Sequence, residues 1–124
     1  MDSPIRFKWD KHKKLWNLMK DNWELVRRVG LVPAKESIRS TYLNDNRIIP
    51  NSCYACEYAF LLAKQSHNPS RCFFCPVKVQ KCNHMDSWMA QLTYSIQEGN
   101  EQEYKRLCEY MENIELKEGI PYGE

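Results

Sequence analysis

The sequence is poor in glycine and proline, with four Gly and six Pro among 124 residues. That scarcity excludes a collagen-like or low-complexity chain. Long hydrophobic runs are missing too: the longest purely apolar stretch, Tyr58 to Ala63, is far too short to cross a bilayer. The first ten residues, MDSPIRFKWD, contain no apolar core of a secretory signal. A cytoplasmic location is therefore expected, and there thiols stay reduced. No segment sustains a period-two alternation, which argues against strands. Absent as well are G-x-S-x-G, the Walker loop, H-E-x-x-H and the Rossmann glycines. Zinc deaminases need H-x-E followed by P-C-x-x-C. Here His67-Asn68-Pro69 lacks the Glu, and Arg71 precedes Cys72. The chain is not expected to be an enzyme.

What remains is ordinary for a globular domain: 43% apolar and 27% charged residues in a length that fits one domain, 1–124. The net charge is only +2, but it is uneven. Residues 1–30 carry eight Lys/Arg against four Asp/Glu, residues 31–96 seven against four, and residues 97–124 three against eight. A basic amino end and an acidic carboxyl end result. Solvated helix faces account for most of this; a steering role toward charged partners is the sharper reading.

Helical periodicity dominates. Trp9, Trp16 and Trp23 recur every seven residues, close to two helical turns, so they line one stripe with Met19 and Val26. Leu15, Leu18, Leu25 and Val29 widen it. One helix is predicted from Trp9 to Val29, closed by Gly30, with a shorter one from Pro33 to Leu43. Asn44-Asp45-Asn46 marks a loop. A further short helix is expected from Cys56 to Gln65. Met85, Trp88, Met89, Leu92 and Ile96 predict a helix over His84–Glu98. Asn100, with Glu103 three residues on, resembles a capping box that opens a last helix. There Tyr104, Leu107, Cys108, Met111 and Ile114 share a face, and Gly119 and Pro121 are expected to end it. The short link at Gly99 predicts a helical hairpin. The fold class is all-α: N-terminal helices over 1–47, a zinc-knuckle insert over 48–82, and a C-terminal helical hairpin over 83–119.

The anomaly is six cysteines. Cys53-x-x-Cys56 and Cys72-x-x-Cys75 are separated by fifteen residues, the spacing of a tetrathiolate zinc site. Two intervening residues let the chain turn so that both sulfurs reach one ion at about 2.3 Å. Pro76 helps to fix the second turn. Cys82 and His84 follow closely and are alternates for one of the four ligands. More simply, His84 is a residue at a helix start and His67 a solvated loop residue. Cys108 lies on an apolar stripe and reads as a core thiol. An iron–sulfur cluster is the rival, but the tight C-x2-C-x2-C grouping is missing. Residues 48–82 hold few periodic apolar positions, so structural Zn²⁺ is expected to supply folding energy there.

Two binding classes remain. Lys13 and Lys14, with Trp9 and Trp16, and Arg71, Lys78 and Lys81 beside Phe73 and Phe74, combine positive charge with aromatic surface, as nucleic-acid binding requires. The Trp-, Tyr- and Met-rich helical faces fit protein–protein binding better.

The motif order resembles that of small proteins encoded by phages and prophages of Gram-positive bacteria. The likeness rests on WDKHKKLWNLM, CYACEYA at 53–59, CFFCP at 72–76, Cys82 and a Trp-containing helix leading into a final one. It departs at Val77-Lys78-Val79, where Leu-x-Trp belongs. The resemblance implies zinc and an accessory role in the host cytoplasm. It also implies a host protein as partner, for instance a nucleic-acid-handling defence complex inhibited in the manner of an anti-CRISPR protein. A zinc-stabilised nucleic-acid-binding regulator is the alternative.

Overall fold

A computed structural model describes residues 5–67, 76–77 and 88–123. Among them, six helices form: α1 (Trp9–Lys20), α2 (Trp23–Val29), α3 (Leu31–Tyr42), α4 (Tyr54–Gln65), α5 (Trp88–Gln97) and α6 (Glu101–Glu112), with a 3₁₀ turn at Pro50–Ser52. Among the described residues there is no strand, only isolated bridges at Phe7–Tyr122 and Val77–Leu116. The all-α class is as expected. No helix among the described residues is long and apolar enough to cross a membrane.

The predicted helix over Trp9–Val29 is two helices. The Asn22 side-chain amide donates to the Leu18 carbonyl at 2.7 Å, taking the acceptor that its own backbone N–H would use in a continuous helix. The backbone N–H of Asn22 turns instead to Met19 at 3.1 Å. The apolar stripe survives this break: Leu15, Trp16, Met19, Trp23 and Val26 are all buried, whereas Val29 is exposed. Gly30, at φ +95°, then ends α2 and opens α3, a left-handed backbone that a side chain would strain. Pro33 sits in the first turn of α3, where a missing N–H costs nothing.

The last helix stops earlier than predicted, at Glu112, for the same chemical reason as α1. Asn113 Nδ2 donates to the Glu109 carbonyl at 2.9 Å. At the other end of α6, Asn100 caps as expected, its side chain accepting from the Glu103 N–H at 3.1 Å. The reciprocal half of a capping box does not form: the Asn100 N–H donates to the Ser95 carbonyl at 2.8 Å, and Glu103 pairs with Arg106. Residues beyond α6 run back as irregular chain, with Lys117 N–H on the Pro76 carbonyl at 2.8 Å and Gly123 N–H on the Phe7 carbonyl at 3.1 Å.

The core lies between α1 and α6. Their pairing is tied at both ends: His12 Nε2–H donates to the Met111 carbonyl at 3.0 Å, and the Tyr104 hydroxyl donates to the Met19 carbonyl at 2.6 Å. The start of α1 therefore meets the end of α6, and the two helices run in opposite directions. α5 packs on α6 across the short Gly99–Asn100 link. α4 contributes Tyr54, Ala55 and Tyr58 to the same core. Part of the stretch expected to lack a conventional core thus shares the main one, because its alanines and tyrosines recur at helical spacing.

Candidate thiolate site

Pro50 starts a tight turn in which Asn51 and Ser52 both take left-handed backbone, at φ 53° and 50°. The turn is closed by Ser52 N–H on the Ile49 carbonyl and Cys53 N–H on the Pro50 carbonyl, both at 3.0 Å. Cys53 is left extended as the residue before α4, and Cys56 falls within the helix's first turn. That step from extended residue to first turn brings two sulfurs of a C-x-x-C to the same helix end, where backbone N–H groups favour negative charge. Both cysteines are half-buried and free of disulfide. Asn51 Nδ2 donates to Cys56 Sγ at 3.6 Å.

The environment polarises the pair. The hydrogen bond from Cys56 holds the Cys53 thiol well below its ordinary range, and the positive charge of Lys35 acts in the same direction. Cys56 is pushed up, first because its thiol is the donor in that hydrogen bond and then by burial. Only deprotonated sulfur ligates a metal, so the lowering at Cys53 favours metal binding there. Cys108, by contrast, is a core thiol as expected: it is buried, and burial pushes it up to about 12.

A charged clamp holds this turn against the helices. Asp45 is buried beside three partners. Arg47 grips it with Nε on Oδ1 and Nη2 on Oδ2, both at 2.9 Å, Arg39 Nη1 approaches Oδ2 at 3.4 Å, and the Tyr54 hydroxyl donates to Oδ2 at 2.9 Å. Arg47 continues to Glu57 at 2.7 Å, and Lys8 reaches the other Glu57 oxygen at 3.1 Å. Arg39 also donates to the Arg47 carbonyl at 2.8 Å. Tyr54 and Glu57 alternate in sequence with the cysteine pair, so each residue that anchors α4 sits beside a sulfur. The hydrogen bonds from Arg47 hold the Asp45 carboxyl below the usual carboxylate range.

Of the predicted metal ligands, the structure places Cys53 and Cys56 together. Cys72, Cys75, Cys82 and His84 lie outside the described residues, and among the described residues no three His, Cys, Asp or Glu side chains gather as a metal-holding group. Of the predicted binding residues, Arg71, Phe73, Phe74, Lys78 and Lys81 are likewise outside. Trp16 is corrected: at 1% exposure it belongs to the core, because it lies at the centre of the α1 stripe that faces α6. Trp9 is half-buried and stacks on His12 at 5.5 Å between ring centroids, with Lys13 Nζ 4.5 Å above its ring. Lys13 and Lys14 are exposed and border an open groove of about 540 Å³ that Leu18, Tyr42 and Leu43 also line.

Three residues near the site escaped the sequence reading. His12 falls on the α1 stripe with Leu15, Trp16 and Met19, a visible periodicity. Lys35 and Arg39, one turn apart on α3, are both 1% exposed; nothing local marks a Lys or Arg as buried, since these types almost always face water. No protein family, curated protein or solved structure matches this chain.

Proposed function

We propose that this chain is a small zinc-stabilised phage accessory protein that acts by binding another protein, as an inhibitor of host machinery or defence of the anti-CRISPR kind. One Zn²⁺ is held by Cys53, Cys56, Cys72 and Cys75, and its role is structural. The observation that carries the metal part is the Cys53–Cys56 pair, two sulfurs on one helix end. Such a pair satisfies half of a tetrahedral thiolate shell, and the second C-x-x-C lies at the spacing that completes it.

Binding rather than catalysis is supported by the character of the described surface. The groove beside α1 is open and shallow, and it presents Lys13, Lys14 and Tyr42, a residue mixture common at the rims of protein interfaces. The same exposed lysines favour the second reading, a nucleic-acid-binding regulator, in which Tyr42 offers a stacking face. The phage setting and the inhibitory role come from the resemblance of CYACEYA and CFFCP to phage-encoded proteins.

Elemental analysis of reduced, freshly purified protein tests the metal: one zinc per chain is expected. Cys53→Ser and Cys72→Ser should lose it, and Cys82→Ser should keep it. A preparation without stoichiometric zinc overturns the site. Capture from host lysate tests the partner class. Recovery of a host protein by wild type, lost on Lys13→Glu with Lys14→Glu, supports the interface; recovery of nucleic acid alone, released steeply by salt, turns the assignment to the regulator.

A further inference from the structure

Two open grooves adjoin the carboxyl-terminal turn of α6, and they differ in charge. The groove of about 540 Å³ beside α1 is lined by Lys13, Lys14, Leu18, Tyr42 and Glu112 among others. Its one carboxylate is already taken within the chain: Lys20 Nζ lies 3.7 Å from Glu112 Oε1, and Asn17 Nδ2 donates to Oε2 at 3.1 Å. Lys13 and Lys14 are exposed, and among the described residues no carboxylate forms an ion pair with either. The surplus there is positive. A groove of about 530 Å³ on the exposed side of α6 is lined by Arg106, Glu109, Tyr110, Asn113, Ile114 and Glu115. Here the one cation is the group already taken, since Arg106 Nε donates to Glu103 at 2.9 Å, and the surplus is negative. Each groove also exposes a tyrosine, Tyr42 at 59% and Tyr110 at 47%, a residue type enriched at interfaces.

We propose that a second copy of this chain docks here, the lysine groove of one copy receiving Glu109, Tyr110 and Glu115 of the other. The two surfaces match in size and oppose in charge, and both belong to one chain. They also adjoin: Glu112 lines the first and its neighbour Asn113 the second. A twofold axis near this helix end therefore lets both pairings form at once, and the assembly closes as a dimer. Charge complementarity of this kind supplies specificity and salt sensitivity more than affinity, so the dimer is a weak one. The inference does not depend on zinc. Because it uses the lysine groove, self-association excludes any other partner from that groove.

Sedimentation velocity of the purified, reduced, full-length protein across a dilution series tests this. At low salt a two-chain species is expected. It should dissociate as ionic strength rises from about 0.01 M to 1 M, which shortens the Debye length from about 30 Å to 3 Å. Lys13→Glu with Lys14→Glu makes both grooves acidic, and Glu109→Lys with Glu115→Lys makes both basic. Each double variant alone should associate at least about tenfold more weakly, since like charges then face each other. Mixed in equal amounts, the two should regain a dimer, because every acidic groove again meets a basic one. A wild type that stays monomeric at all concentrations overturns the proposal. So do reversed variants that associate like wild type, a mixture that does not recover, or growth beyond two chains. Capture of a host protein is read separately with the Glu109→Lys, Glu115→Lys variant, whose lysine groove is intact, so the two readings fail independently.

Discussion

The α1–α6 pair and the Cys53 turn are held by opposite kinds of force. Between α1 and α6, apolar side chains from two stripes meet, and two buried long-range hydrogen bonds set direction and register. Around the cysteine turn, Asp45, Arg47, Arg39, Glu57 and Lys8 form a chain of charges that reaches from the amino-terminal segment to α4. The first arrangement gains stability from area removed from water and tolerates small errors of position. The second depends on geometry, because a buried charge that loses its partner is worse than no charge at all. A site that must present two sulfurs at a defined separation is better served by the second kind, which is directional.

This contrast is sharpest under mutation. Trp16→Ala should be the most damaging change, costing about 3–5 kcal/mol in urea unfolding through loss of a large buried side chain. A value under about 1 kcal/mol would mean that α1 does not rest on α6 as described. Asp45→Asn should cost about 3 kcal/mol by stranding Arg39, and should also raise the accessibility of Cys53 to thiol reagents; the Trp16 variant, destabilised elsewhere, should not do so while it remains folded. The sign with pH follows from the Asp45 carboxyl being held down by Arg47. The unfolded chain takes up its proton first as pH falls, so the contribution is present above about pH 4 and is lost on further acidification. Wild type should therefore lose stability in that range more steeply than Asp45→Asn.

His12 gives a smaller effect in a different window. Burial lowers its pKa from the ordinary value, against weaker opposing pulls from Cys53 and from its hydrogen bond to Met111. The neutral ring is the native form, and the unfolded chain protonates near about pH 6.5. Stability should then be complete above that pH and fall below it, because the buried ring resists the proton that the unfolded chain takes up; the Nε2–H bond to Met111, which a protonated ring keeps, softens the fall. His12→Gln should flatten this dependence in denaturation profiles between about pH 5 and 7; an unchanged slope would remove His12 as its source. Smallest of the four, Asn100→Ala should cost about 1 kcal/mol by uncapping α6, seen as a modest shift in thermal midpoint with no change at the cysteine turn.

Much of the apolar arrangement is readable from residue order alone. The stripe of Trp16, Met19, Trp23 and Val26, the cap at Asn100 and the core position of Cys108 all follow from helical spacing. The two largest departures from the expected helix boundaries each have an asparagine at the break, Asn22 and Asn113, each donating to the carbonyl four residues earlier. An amide in an otherwise periodic stripe is thus the local signal for a stop, weaker to the eye than Gly or Pro but chemically specific. At the site, Cys53 and Cys56 are legible because a C-x-x-C carries its geometry within four residues. Asp45, Arg39 and Lys35 are not, since what each one faces is brought there by other parts of the chain.

Residue order alone determined that the chain is helical, where its apolar faces lie, and which pair of sulfurs shares one helix end. Periodicity and short-range turns encode such features, and the forces behind them act over a few residues. Tertiary structure alone decided that α4 joins the main core, and that Lys35 and Arg39 give up water on the same helix. Burial of a charge is a property of its neighbours in space, and those neighbours come from other segments of the chain.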